Sequence, residues 1–295
     1  MLRAYFALAL AVSGIAWSAI FVRWAGVPGP VSAFYRVLTA GLVLFAWRAL
    51  RGSTRQVSRR ALWFAVAGGV FFALDLALWN TAVMRSQAAV AAILGNNTPI
   101  FVGILTWLVF RRRPGAAFWI GLALALGGCL LVLGASLNPG SARGSLSGNL
   151  LAIAASAFFA AYMVVTEHVR SSMDTLTFNA VTIAASVASL LAVCMAMGMP
   201  LSGFTPRTWT VLVALGLVSQ LFAYFALVYA LGHLPATITS VALLAQVPCT
   251  AALAWLLLDE PLTPAQITGG AVVLAGIYVV NRGDDRRSLS DGEHP

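Results

Sequence analysis

A chain of 295 residues with 60% hydrophobic and only 9% charged side chains, at a mean hydropathy of +0.90, is not a soluble globular protein, since soluble domains carry about 25% charged residues. Its formal charge of +9 comes from arginine alone, lysine being absent. Those arginines lie in short segments between apolar runs, without the aromatic–basic interleaving of a nucleic-acid surface. They argue against a nucleic-acid partner and for contact with lipid headgroups.

Ten apolar runs follow one another: 2–22, 31–49, 61–82, 87–110, 116–135, 148–167, 175–198, 207–231, 235–258 and 262–281. Each is near the ~20 residues that span a bilayer. Lipid leaves no partner for an open backbone group, and the runs lack barrel-type alternation, so each is read as a helix. The first run follows Arg3 but shows no small-residue cleavage site, and it is expected to remain as the first span. Short loops make neighbouring helices antiparallel. Residues 283–295 are polar and predict a disordered cytoplasmic tail. Cys129, Cys194 and Cys249 stand isolated in separate runs, with neither metal-ligand nor disulfide spacing.

Two stretches 149 positions apart repeat one another. Pro99 falls on Pro248, Gly121 on Gly270 and Gly127 on Gly276, and the loop that holds Arg111-Arg112-Arg113 falls on the loop that holds Asp259-Glu260-Pro261. The repeat divides the chain into residues 1–140 and 141–282, five helices each. With the N-terminus in the cytoplasm, thirteen arginines lie in cytoplasmic segments and four in outer ones, the last being Arg36 within a helix. Both termini are therefore expected in the cytoplasm. An odd number of helices per half makes the second repeat enter from the opposite side, an inverted arrangement common among secondary transporters. Glycines 121, 127 and 128 in the fifth run and 269, 270 and 276 in the tenth suit close helix packing.

The turn Leu258-Asp259-Glu260-Pro261-Leu262, then Gln266, Gly269, Gly270 and Gly276, carries a family resemblance. So do Ala33-Phe34-Tyr35-Arg36 and the pattern Tyr229-Ala230-Leu231, Pro235-Ala236 and Pro248. On these residues the chain resembles the drug/metabolite transporter superfamily, in its ten-helix branch of two EamA-type repeats. The resemblance covers nearly all of the chain except the tail. Within the superfamily it is most similar to YddG-type exporters of aromatic and other neutral amino acids. One departure is Arg111, where the family usually has glutamate, which speaks against that glutamate as a coupling residue common to both halves.

Ionisable residues inside a membrane are costly and suggest function. Arg36 and Asp75 sit at similar depth on consecutive helices, roughly 8–10 Å below the outer surface at 1.5 Å per residue. They could form a structural ion pair, or Asp75 could exchange a proton and Arg36 meet a carboxylate. Asn96-Asn97 before Pro99 and Gln246 before Pro248 coincide under the repeat, with amides able to bind a zwitterion. Trp17 and Tyr162 lie at corresponding depths, and Trp79, Asn80, Gln220 and Tyr224 complete a possible lining. Each of these residues could instead serve helix packing.

The pattern predicts a secondary transporter of a bacterial cell membrane. It would export small neutral or aromatic amino acids and related metabolites by alternating access around a central cavity. The alternative is efflux of other metabolites or cationic drugs, with proton coupling through Asp75. No Walker motif is present, and no nucleophile–base or metal constellation supports an enzyme. No cofactor is called for. The expected partners are an amino-acid solute and the bilayer, and a monomer would suffice.

Overall fold

The computed structural model describes residues 2–51, 57–85, 94–134, 146–258 and 263–291, and among these the chain forms helices without a strand. Helix α1 spans Leu2–Ala25, α2 Gly29–Arg51 and α3 Arg59–Arg85. Then come α4 (Thr98–Phe110), α5 (Ala116–Gly134), α6 (Leu146–Arg170) and α7 (Thr175–Ala196). The last three are α8 (Pro206–Leu231), α9 (Ala236–Leu257) and α10 (Pro264–Asp291). Among the described residues nine helices are long and apolar enough to cross a membrane, and α4 is a shorter apolar helix. Residues 87–93 of the fourth predicted run, and the turn Asp259-Glu260-Pro261-Leu262, lie outside the described residues.

Large apolar side chains stand exposed around the bundle, among them Leu42, Leu108, Ile120, Phe222, Ile267 and Leu274. Soluble monomers keep such patches to a few hundred Å². With helices of this length and hydropathy, the exposed belt makes this a multi-pass membrane protein.

Packing runs chiefly between the first five helices and the last five. Helix α3 lies along α6 as α8 lies along α1, α3 crosses α7 as α8 crosses α2, and α4 rests on α6 as α9 rests on α1. Adding five to each helix number turns each of these pairings into its counterpart. The most extensive pairing is α5 with α10. There Gly121 meets the carbonyl of Gly276 and Gly128 meets that of Gly269, each oxygen 2.5 Å from where a Cβ would stand. As one index rises the other falls, so the two helices run antiparallel. The two contacts exchange under a shift of 148, not the 149 of the sequence alignment, and Gly127 and Gly270 face elsewhere.

Local chemistry sets the helix ends. Asp174, in extended backbone, accepts the Thr177 N–H at 3.0 Å and caps α7. Partial burial alone would raise this carboxyl, but hydrogen bonds from Thr177 and from the Leu176 N–H hold it below the usual carboxylate range. A depressed carboxyl stabilises the fold above its unfolded value, near 3.9, and that contribution is lost as pH falls through the folded value. Asp174→Ala is expected to cost about 1 kcal/mol at neutral pH. Thermal unfolding should show the deficit shrinking as the pH is lowered through the carboxylate range.

Helix α10 continues through Asp291, well past Gly283, and only residues 292–295 lie beyond the described chain. No proline interrupts it before Pro295, and each added residue of a running helix closes one further hydrogen bond.

Two central helices are irregular. Within α8, residues Leu215–Phe222 form a π-helical stretch. Within α9, Leu243–Ala245 form a 3₁₀ turn just ahead of Pro248. Pro248 has no N–H to give the Leu244 carbonyl one turn back, and the Cys129 thiol lies 4.0 Å from that oxygen as a donor. Pro99, in contrast, stands in the first turn of α4, where a missing N–H breaks no bond.

Candidate functional site

The polar heart of the bundle forms where α1, α2, α3, α6 and α8 meet. Arg36 of α2 is only 4% exposed. Its Nε donates to Gln220 Oε1 of α8 at 2.9 Å and its Nη1 to Ser18 Oγ of α1 at 3.2 Å. Its Nη2 is buried with no hydrogen-bond partner. The guanidinium lies over the Tyr224 ring, 5.4 Å from the centroid, a cation–π arrangement.

Further aromatic rings pack against Tyr224. Phe72 of α3 sits 4.8 Å from the Tyr224 ring and 5.0 Å from the Tyr162 ring, and Phe159 stacks on Tyr162 at 6.0 Å. Asp75 follows Phe72 by one turn on the same face of α3 and interacts electrostatically with Arg36 and Tyr224. Among the described residues, however, no carboxylate oxygen lies within 4.0 Å of the Arg36 guanidinium. The arginine's hydrogen bonds go instead to uncharged side chains.

The π stretch explains how α8 reaches both neighbours. A π turn holds more residues than an α turn, so consecutive side chains lie closer in angle. Ser219 donates to the Gly14 carbonyl of α1 at 2.8 Å while Gln220, the next residue, holds Arg36. Gly14 itself touches α8, where a Cβ would stand 2.6 Å from that of Ala223.

A second polar contact joins the repeat-related helices α4 and α9. Gln246 Nε2 donates to Asn96 Oδ1 at 3.4 Å, while the Asn97 amide turns back to the Leu94 carbonyl at 3.0 Å. Trp79, one turn beyond Asp75 on α3, borders Gly95 and so reaches this group. Asn80 is buried against Gly29 at the start of α2. Trp17 stacks on Phe21 of its own helix at 5.6 Å, although its neighbour Ser18 does reach Arg36.

The structure thus brings Arg36, Gln220, Tyr224, Tyr162 and Asp75 together, pairs Asn96 with Gln246, and leaves Trp17 along α1. Sequence reading missed Ser18, Phe72 and Phe159. Phe72 was within its reach, standing one helical turn from Asp75. Among the described residues no cluster of three or more metal-type ligands occurs.

The sequence profile of the EamA-like transporter family matches this chain twice, over residues 2–134 and again over 146–282. The chain belongs to that family. The EamA chain is 28% identical over 220 residues to the uncharacterized transporter YwfM of Bacillus subtilis (strain 168), spanning 74% of this chain and 72% of that one. It is 28% identical over 259 residues to the pseudopaline exporter CntI of Pseudomonas aeruginosa (strain UCBPP-PA14), spanning 88% of each. A solved crystal structure superposes at a TM-score of 0.81 over 96% of this EamA chain and 98% of that one, at 20% identity, which speaks for the fold alone. The family and these relatives mark the EamA chain as a membrane transporter.

Proposed function

We propose that the protein is a secondary exporter of small amino acids, with neutral or aromatic side chains, and of related metabolites. Its two inverted repeats would alternate access around the Arg36 cluster, in a bacterial inner membrane with both termini cytoplasmic. The observation that carries the reading is the cluster itself: polar groups and aromatic rings from five helices of both halves, buried where the halves meet. Amide and guanidinium donors suit a zwitterion's charged end, and the rings suit its side chain. Inversion is supported by the antiparallel glycine seam between α5 and α10, whose two contacts are copies of one another. Export as the direction fits a family with a pseudopaline exporter among its relatives.

Uptake of labelled threonine, methionine and phenylalanine into liposomes containing only this protein tests the reading. Saturable uptake of any of them supports it, and none, from protein shown to be folded, removes it. A second reading, export coupled to protons, draws on Asp75, which forms no ion pair within 4.0 Å of Arg36. Its test is Asp75→Asn. Transport that loses its pH dependence supports coupling through this carboxyl, and an unchanged pH profile assigns Asp75 to the site's electrostatics alone.

A further inference from the structure

We infer that Arg36 is the carboxylate-binding point of this protein, so that the solutes it moves carry a carboxylate group. The inference rests on the central cluster being the translocation site, and it names the substrate chemistry of that site.

A buried guanidinium is expensive unless a counter-charge and a full set of acceptors compensate it. Arg36 has only uncharged hydrogen-bonding partners, chiefly Gln220 and Ser18, a buried Nη2 without one, and in Asp75 a counter-charge beyond ion-pair distance. Those two bonds occupy Nε and one N–H of Nη1. They fix the plane of the fork and leave Nη2 and the second Nη1 N–H as donors for the oxygens of a carboxylate. A guanidinium held in place before the ligand arrives loses little entropy on binding.

Helix packing does not require this charge. Where α2 crosses α8, a Cβ on Gly216 would stand 3.0 Å from the Arg36 carbonyl and 2.6 Å from the Thr39 Cβ. Where α7 crosses α3, a Cβ on Gly69 would stand 2.5 Å from the Thr182 carbonyl and 2.7 Å from the Ala185 Cβ. The two crossings are built alike, and Thr182 occupies the place of Arg36. The Thr182 hydroxyl simply returns to the Phe178 carbonyl of its own helix at 2.9 Å. The same crossing therefore forms without a cation, and the asymmetry between the halves is chemical, not architectural.

The surroundings define the rest of the ligand. The Tyr224 ring lies under the guanidinium, and Phe72, Tyr162 and Phe159 extend it into an apolar and aromatic group. Asp75 places a carboxylate on the same α3 face as Phe72, where an ammonium group of the same solute would be attracted. The geometry selects small carboxylates with an apolar or aromatic body. An α-amino group is accommodated, and an amine without a carboxylate is not.

The test compares analogues on the wild-type protein. Uptake of labelled phenylalanine into proteoliposomes is challenged with unlabelled phenylalanine, phenylpropionate, phenylalaninamide and phenethylamine. The two carboxylates should compete, while the amide and the amine should compete at least about tenfold less well, the range for losing one charge-assisted bond pair. Phenylalaninamide competing as well as phenylalanine would overturn the inference. If no amino acid is transported, the amino-acid reading fails separately. The carboxylate inference is then decided by thermal stabilisation of the purified protein with a panel of mono- and dicarboxylates and their amides. Stabilisation by carboxylates that is lost in Arg36→Gln and partly kept in Arg36→Lys sustains it, and no carboxylate-specific stabilisation in the wild type sinks it. Because the wild-type comparisons stand alone, a variant that fails to fold does not shield the proposal.

Discussion

Gly276→Val is expected to abolish recovery of folded, monodisperse protein. A Cβ at position 276 would stand 2.5 Å from the Gly121 carbonyl oxygen and 2.6 Å from the Ala125 amide nitrogen. Both obstacles are backbone, so no side chain can swing aside, and α5 and α10 would have to separate along their length. In lipid, no hydrophobic force drives helices together, and close backbone packing supplies much of the association energy. Overpacking a core ordinarily costs 1–3 kcal/mol. Here the loss reaches the most extensive helix pair in the bundle, so more than about 3 kcal/mol is expected on that scale. Gly121→Val should fail in the same way, its Cβ meeting the Gly276 carbonyl at 2.5 Å. Gly127→Ala, with nothing within 4 Å of the new Cβ, should be neutral or slightly stabilising, by up to about 1 kcal/mol of helix propensity. Size-exclusion profiles after a temperature series would separate the three. A well-folded Gly276→Val protein would contradict the seam.

Gln220→Leu should destabilise the fold more than its loss of one side-chain amide suggests. It removes the acceptor held by Arg36 Nε and leaves a second buried nitrogen of the guanidinium unsatisfied, beside Nη2. Leaving a buried charged group without its partner costs about 3 kcal/mol or more, whereas removing both partners is often nearly neutral. The double variant Arg36→Met with Gln220→Leu should therefore unfold at a higher temperature than Gln220→Leu alone. Its transport should nevertheless be absent. Stability restored with function lost would separate the two demands on this pair, and a double variant less stable than the single one would refute the account.

Hydropathy carried much of the architecture because lipid constrains it so tightly. A span needs about 20 apolar residues, so the long helices could be placed within a few residues from sequence. Depth along a helix is legible in this way, but rotation about its axis is not. Arg36 and Asp75 share a depth, yet the arginine's hydrogen bonds reach α8 and α1. Trp17 and Tyr162 share a depth as well, yet only Tyr162 joins the aromatic group, and Trp17 lies on Phe21. The glycine doublets 127–128 and 269–270 admit two alignments one residue apart, and only the facing of the helices selects the shift of 148. Nothing in hydropathy marks the π stretch of α8, which sets Ser219 and Gln220 on their separate partners.

Because α3 lies on α6, α1 on α8 and α5 on α10, the first half of the chain has few strong contacts within itself. During synthesis those five helices enter the bilayer before the surfaces that complete them exist. Contacts so distant in sequence make assembly a late and concerted event. The groove along Gly121 and Gly128 stays open until α10, which follows the other nine helices in the chain, arrives to fill it. A chain cut short before Pro264 should remain inserted but protease-sensitive, and the protein should turn resistant only as α10 docks.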